Sequence, residues 1–187
     1  MQTFEYAIES IIPAHPNLYL EHCAVMAVAL MSQHSVSPCE FIVQGEGVQL
    51  PAFKMQSEMS LQVSWSELTA YKAKRIWQTE QSKPIIERAA VALAALLFAH
   101  FVPDGRMRVT REGERADYWL PQQRCALEIS GTTNPRLLAG RHREKIAQML
   151  GNPLQWDGYV MTCCLAKRKK LIRWTYHRQE ESNDGRS

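Results

Sequence analysis

The sequence predicts an α/β fold with two parts, an N-terminal α/β appendage over residues 1–82 and a core over residues 83–178. A chain of 187 residues is long enough for one domain with an appendage. Its composition, 45% hydrophobic and 22% charged, is that of an ordinary globular protein. From residue 83 on, hydrophobic periodicity gives the order helix, three strands, helix, strand, strand, which is typical of an α/β sandwich.

The N-terminal part reads as a helix-and-hairpin region. The mostly apolar stretch over residues 18–33 predicts a helix, and residues 40–50 predict a hairpin with glycines at its bend. Strict alternation over residues 55–63 predicts a half-buried strand. A capping-box pattern, S-x-x-E at residues 64–67, then predicts the start of a helix over residues 65–77. Because this region carries no catalytic pattern, we expect it to serve as a docking element for a protein partner.

The core is predicted in more detail. Pro84 suits the first turn of a helix, and the apolar run that follows it predicts a helix covered on several sides. The remaining elements are strands Arg106–Thr110, Arg115–Leu120 and Arg124–Ser130, a helix from about Arg136 to Leu150, and strands Gly158–Leu165 and Leu171–Tyr176. The polar residues 179–187 are expected to form a frayed tail.

Charge and cysteine content limit the class of protein. The net charge of +3 permits a nucleic-acid partner without requiring one. The five cysteines include no C-x-x-C pair, so reduced thiols and a cytoplasmic location are expected. The N-terminus has no basic segment of the kind that begins a secretory signal. The longest uncharged run, residues 89–103, is shorter than the roughly 20 residues that cross a bilayer, so we expect no membrane partner.

One predicted hairpin, ADYWLPQQRCALEIS, brings two carboxylates together. If PQQR forms the turn, cross-strand partners have residue numbers that sum to 245, and Asp117 faces Glu128. Directly opposed residues have Cβ atoms about 5 Å apart, and Ser130 lies on the same face two residues later. Two such carboxylates repel each other unless a cation lies between them. A hard divalent ion, Mg²⁺ or Mn²⁺, would serve.

Other interpretations of these carboxylates remain open. They could be solvated surface residues, or they could pair with Arg115 or Arg124. A shift of the register by one residue would send one carboxylate to the other face of the sheet. Asp104 is a competing candidate for the aspartate opposite Glu128. A hairpin that paired these two residues would have its turn inside a predicted strand, so Asp104 is better explained as a turn residue before a glycine.

With these motifs, residues 83–176 resemble the PD-(D/E)XK nuclease superfamily. The similarity lies in the order of elements and in Asp117 with Glu128-Ile129-Ser130. The resemblance implies a restriction-endonuclease-like core in which Asp117 and Glu128 bind Mg²⁺ or Mn²⁺. It also implies a metal-dependent phosphodiesterase that acts on DNA or RNA. Glu87 would match an acid that members often carry on the first core helix, although the helix dipole alone also favours a glutamate there.

Ser130 departs from the motif, because superfamily members carry a lysine there that orients the attacking water. Some members move this lysine to the following helix. In this chain Arg141, Lys145 and Gln148 share one helical face, and Lys145 is the residue that could take the role. Alternatively, Lys145 is an ordinary surface lysine. The protein would then be a catalytically inactive nuclease-like subunit that binds nucleic acid or scaffolds a complex, or a plain interaction protein that binds no metal.

A basic segment near the C-terminus is the densest positive patch of the sequence. Contacts with phosphates need such residues, so we expect this segment to bind nucleic acid. A solvated turn is the alternative. The residues concerned are Lys167, Arg168, Lys169, Lys170 and Arg173.

Overall fold

The computed structural model describes residues 1–48, 57–111 and 116–178, which form an eight-stranded mixed sheet and five α-helices. The N-terminal elements are β1 (Gln2–Ala7), α1 (Ile11–Ala14), α2 (Glu21–Met31), β2 (Cys39–Glu46), β3 (Glu58–Ser64) and α3 (Glu67–Thr79). The elements that follow are α4 (Ser82–Phe101), β4 (Arg108–Val109), β5 (Tyr118–Leu120), β6 (Cys125–Thr132), α5 (Leu138–Leu150), β7 (Gly158–Ala166) and β8 (Lys169–His177).

Strands from both parts of the chain join in one sheet. The strand order is β1-β3-β2-β8-β7-β6-β5-β4, so the three N-terminal strands extend the sheet beyond β8. Neighbouring strands pair in parallel where β1 meets β3, β2 meets β8 and β6 meets β7, and antiparallel elsewhere. The boundary predicted between residues 82 and 83 therefore falls at the start of α4 and not between two sheets.

Helices α2 and α4 form the centre of the protein. Both are apolar around most of their circumference, and such helices are stable only when several sides are covered. In α2 every residue from Cys23 to Met31 is buried, and α2 packs against both α3 and α4. Among the described residues α4 alone is long and apolar enough to cross a membrane, but 61% of its most apolar stretch is buried inside the protein. We interpret α4 as a core helix.

The sheet has helices on both faces at β6. Leu127 and Ile129 belong to the main core with α4, whereas Ala126 packs with Met149 of α5. Gly131 permits the close approach of α4, since a Cβ at this position would lie 2.6 Å from the carbonyl oxygen of Ile86. Alternate residues of β6 consequently point to α4 and to α5.

Two details of the N-terminal region differ from the sequence prediction. The hairpin over residues 40–50 is wrong. Residues 39–46 form one strand, Gly45 pairs with Trp174, and the left-handed residue is Gly47 (φ +69°). A glycine inside a strand does not have to turn the chain when neighbouring strands pair on both sides, as β3 and β8 do here. Residues 49–50 lie outside the described residues, as do Arg115 and the predicted tail 179–187.

The cap of α3 is Ser66 and not Ser64. The Ser66 hydroxyl accepts a hydrogen bond from the Thr69 N–H at 3.2 Å. The carboxylate of Glu9 accepts from both the N–H and the hydroxyl of Ser66 at 2.9 Å. A residue 57 positions earlier in the chain therefore fixes the helix start, which a local pattern does not reveal.

Candidate active site

The strand register around the predicted turn is the one expected from the sequence. Tyr118 pairs with Leu127 and Leu120 pairs with Cys125, so the paired residue numbers sum to 245. Asp117 comes directly before β5, and continuing the register places it opposite Glu128. Both residues therefore lie on the α5 face of the sheet.

Asp117 is fixed at the point where β5 begins. Its Oδ2 atom accepts a hydrogen bond from the backbone N–H of Ile129 at 2.8 Å. The backbone carbonyl of Ala116, which precedes β5, accepts instead from the hydroxyl of Thr110. The Asp117 carboxylate thus accepts a hydrogen bond from an N–H of β6 that lies beyond the end of the β5–β6 ladder. This hydrogen bond holds the Asp117 side chain over β6.

Lys145 joins the two carboxylates. It lies on the buried stripe of α5, three residues after His142 and four before Met149, which are both buried. Its ammonium donates to Oδ2 of Asp117 at 2.9 Å and to Oε2 of Glu128 at 2.6 Å. The exposed fraction of the side chain is 4% for Glu128, 19% for Lys145 and 38% for Asp117. The group is open to solvent from the Asp117 side.

Burial and the neighbouring charges shift the pKa values of Glu128 and Lys145. Burial raises the pKa of Glu128 to about 7, and the charge of Asp117 raises it as well, whereas the hydrogen bond from Lys145 acts in the opposite direction. Burial would lower the pKa of Lys145, but the two carboxylates raise it above its usual value. Lys145 is therefore a charged donor at neutral pH, while Glu128 can exchange a proton in that range.

The group faces an open cleft of about 560 Å³. Lys145 and Gln148 line this cleft and also a smaller one, of about 310 Å³, that includes Ser130 and Arg141. Ser130 is half-buried beside the lysine-bearing helix. The structure thus brings Asp117, Glu128, Lys145 and Ser130 to one face.

The donor set of this cleft suits a hard divalent cation. The Lys145 ammonium lies 2.9 Å from Oδ2 of Asp117 and 2.6 Å from Oε2 of Glu128, so one ion could reach both carboxylates. Mg²⁺ typically takes one or two carboxylates and keeps several waters, for which the open cleft has room. Within residues 1–48, 57–111 and 116–178 no group of three or more His, Cys, Asp or Glu side chains could hold a metal, so water would supply much of the coordination.

Glu87 is not brought into this group. Its side chain is 56% exposed and forms an ion pair with Lys83, one turn earlier on α4, at 3.9 Å. It does not line the cleft of the carboxylates. The described contacts of Glu87 are those of a surface residue near the helix start.

The predicted basic patch divides into two places. Lys167, Arg168 and Lys170 line a cleft of about 500 Å³ at the β7–β8 end of the sheet. Arg173 lies further along β8, in a different cleft of about 370 Å³ with His142 and Thr175. Alternation along β8 places Arg173 on the α5 face, away from the turn.

Sequence reasoning missed how α5 is anchored. The buried ring of His142 lies 3.0 Å from the Thr162 hydroxyl through Nδ1 and 3.3 Å from the Thr175 hydroxyl through Nε2. A guanidinium N–H of Arg141 donates to the Gly131 carbonyl at 2.6 Å. These partners lie on three different strands, so spacing along the chain gives no signal for them.

Comparison of the chain with protein-family models, with curated proteins and with solved structures finds no match in any of the three.

Proposed function

We propose that the protein is a metal-dependent phosphodiesterase, a nuclease that acts on DNA or RNA. The observation that carries the proposal is the ammonium of Lys145 within 2.9 Å of both Asp117 and Glu128 in an open cleft. The resemblance of residues 83–176 to PD-(D/E)XK nucleases supports it. In that interpretation the elements from α4 to β8 are the restriction-endonuclease-like core.

Each side chain has a proposed role. Asp117 and Glu128 would hold Mg²⁺ or Mn²⁺, which when bound polarises the phosphodiester and makes water a better nucleophile. Lys145 donates a hydrogen bond that orients the attacking water and offsets negative charge on the phosphate. The oxygen of that water attacks phosphorus and its proton passes to the solvent of the open cleft. A P–O ester bond breaks, and the departing oxygen takes up a proton from the same solvent. Ser130, in the smaller cleft that Lys145 also lines, is a candidate for an additional hydrogen bond.

A second candidate function is a catalytically inactive nuclease-like subunit that binds nucleic acid or scaffolds a complex. Ser130 at the motif position favours it, because serine supplies no positive charge. The ion pairs of Lys145 favour it as well, since an ammonium already neutralises the buried carboxylate of Glu128. In this case the three residues would form a structural ion cluster.

The proposal includes the surroundings of the site. The basic residues Lys167 to Lys170 would bind nucleic acid, and the exposed Leu68 and Tyr71 of α3 mark a surface for a protein partner. All five cysteines are free and buried, as expected in the reducing cytoplasm.

A cleavage assay separates the two candidates. Single- and double-stranded DNA and RNA are incubated with the wild type and with Mg²⁺ or Mn²⁺. We expect cleavage that is abolished by chelation and by Asp117→Asn or Glu128→Gln. Glu87→Gln is the matched control and should cleave like the wild type, because Glu87 pairs with Lys83 outside the cleft. A wild type that binds nucleic acid and cleaves none of these substrates would favour the inactive subunit.

A further inference from the structure

We infer that the nucleic-acid backbone runs from the Asp117–Glu128 cleft along the N-terminal half of α5 to the β7–β8 turn. About seven base pairs on one side of the cleavage point would then contact the protein. This path deepens the proposed function and rests on it. We call the surface the α5 track and define it by Lys145, Arg141, Arg136 and the turn residues 167–170.

The first section of the track is continuous with the candidate active site. Lys145 and Gln148 line both the carboxylate cleft and the smaller cleft next to it. Arg141 lies in that second cleft, one helical turn from Lys145 toward the helix start. One of its N–H groups binds the Gly131 carbonyl, which holds the side chain in place. A guanidinium has five N–H donors, so Arg141 keeps others for a phosphate.

The second section connects α5 to the basic turn. Leu138, in the first turn of α5, packs in one cluster with Ala166 and Leu171. These two residues flank the turn formed by residues 167–170, so the start of α5 lies beside the turn. Arg136 is exposed just before this helix start. Beyond it, the turn contributes four cations in a row. Lys169 pairs with Ala166 beside the start of α5, whereas Lys167, Arg168 and Lys170 line a cleft with residues 34–40.

The basic residues of α5 and of the segment before it lie along the same path. Residues 136–145 contain Arg136, Arg141, Arg143 and Lys145 against one acid, Glu144, which lines the smaller cleft. Residues 146–166 contain no lysine or arginine and one acid, Asp157. On α5 and β7, the cations therefore lie between the carboxylates and the turn. Phosphates are attracted to this side and not to the C-terminal end of α5.

The length of the track follows from strand geometry. Glu128 pairs with Val160 of β7, and Lys167 lies seven residues further along. At about 3.3 Å per residue this distance is about 23 Å. A duplex advances about 3.4 Å per base pair, so about seven base pairs cover it. A shorter substrate can occupy the cleft but cannot reach the turn.

Binding measurements with long and short substrates test the track. The wild type in EDTA, and Asp117→Asn with Mg²⁺, are titrated with duplexes and single strands of about 6 and about 20 positions at several salt concentrations. Replacing Lys167, Arg168, Lys169 and Lys170 with Gln should weaken binding of the long substrate at least 10-fold. It should also reduce the slope of log Kd against log salt by about 2 to 4. Binding of the short substrate should stay within about 2-fold of the wild type.

Lys74→Gln with Arg75→Gln is the matched control, because both residues are exposed on α3, a helix outside the α5 track that packs mainly against α2. This variant should bind like the wild type. Equal weakening for both lengths, or an unchanged salt slope, would overturn the track while metal-dependent cleavage by the wild type still supported the nuclease. A wild type that binds neither length and cleaves nothing would overturn both the track and the proposed function.

Discussion

Lys145 is the residue on which the two candidate functions differ most. In Lys145→Ala both carboxylates remain and lose a competing ammonium, so metal affinity should be unchanged or higher. Cleavage should fall by roughly 10²-fold or more, as for other positioned groups that act on the attacking water. Lys145→Arg should rescue poorly, because a planar guanidinium does not replace a compact ammonium. The measurements are Mn²⁺ titration and cleavage rates on the same preparations.

A second change tests whether the role of the motif lysine can return to its usual position. Ser130 lines the cleft beside Lys145, so Ser130→Lys in the Lys145→Ala background places an amine on the same face. Part of the lost cleavage should return. Cleavage by Lys145→Ala at the wild-type rate would show that this lysine has no part in the reaction.

His142 is a buried residue whose protonation affects stability. Burial lowers the pKa of His142 to about 4, and the nearby charges of Arg173 and His177 act in the same direction. The unfolded chain therefore takes up this proton first, and stability is lost as the pH falls from about 6.5 to about 4. This contribution of His142 is on the order of 3 kcal/mol. The raised pKa of Glu128 acts with the opposite sign over much of the same range, so the contribution is measured as the difference between the wild type and His142→Gln in urea unfolding at each pH.

His142→Gln is the control for this pH dependence. Glutamine does not titrate and can still bond to Thr162 or Thr175. Between pH 6.5 and 4 the variant should lose less stability than the wild type does. The lowered pKa of buried His15 leaves a slope of the same sign in both proteins, and the raised pKa of Glu128 leaves one of the opposite sign. A slope equal to that of the wild type would assign the effect to other groups.

At the scale of elements, the packing of α4 on β6 supports the strand that carries Glu128. A Cβ on residue 131 would lie 2.6 Å from the Ile86 carbonyl, which is backbone and cannot yield as a side chain does. Gly131→Ala should therefore destabilise the protein by about 1–3 kcal/mol. Gly140→Ala is the matched control. No atom of the described residues lies within 4 Å of its added Cβ, and a helical alanine should stabilise by about 0.5–1 kcal/mol. The free energy of unfolding of both variants is measured in urea. A Gly131→Ala protein as stable as the wild type would contradict the close packing of α4 against residue 131.

Local patterns predicted the elements near the site well. The turn PQQR determined the pairing of β5 with β6, because a hairpin register follows from its turn. The helical spacing of residues 141, 145 and 148 indicated their shared face. The contact of Asp117 with the Ile129 N–H was not predictable, since it depends on where the β5 ladder ends.

At the scale of the whole molecule, the sequence did not reveal that the N-terminal strands complete the same sheet. The pairs β1–β3 and β2–β8 are parallel and join segments far apart in the chain. Parallel strands are joined by a long connection and not by a tight turn, so no short sequence motif marks their pairing. Gly45 illustrates the difficulty, because its pairing with Trp174 of β8 has no counterpart in the local pattern that suggested a hairpin.

The stability of the whole protein should respond to a divalent cation if the carboxylates form a metal site. Binding to the folded state alone adds about 2.7 kcal/mol at a concentration of 100 times Kd. For a chain of this size such a gain raises Tm by roughly 5–10 °C. We expect this shift with Mn²⁺ or Mg²⁺ in the wild type and in Glu87→Gln, whose substituted side chain lies outside the cleft. The Asp117→Asn, Glu128→Gln double variant, compared with its own metal-free Tm, should show almost none. An equal shift in the double variant would place the cation elsewhere and remove the basis for a metal-dependent reaction at this site.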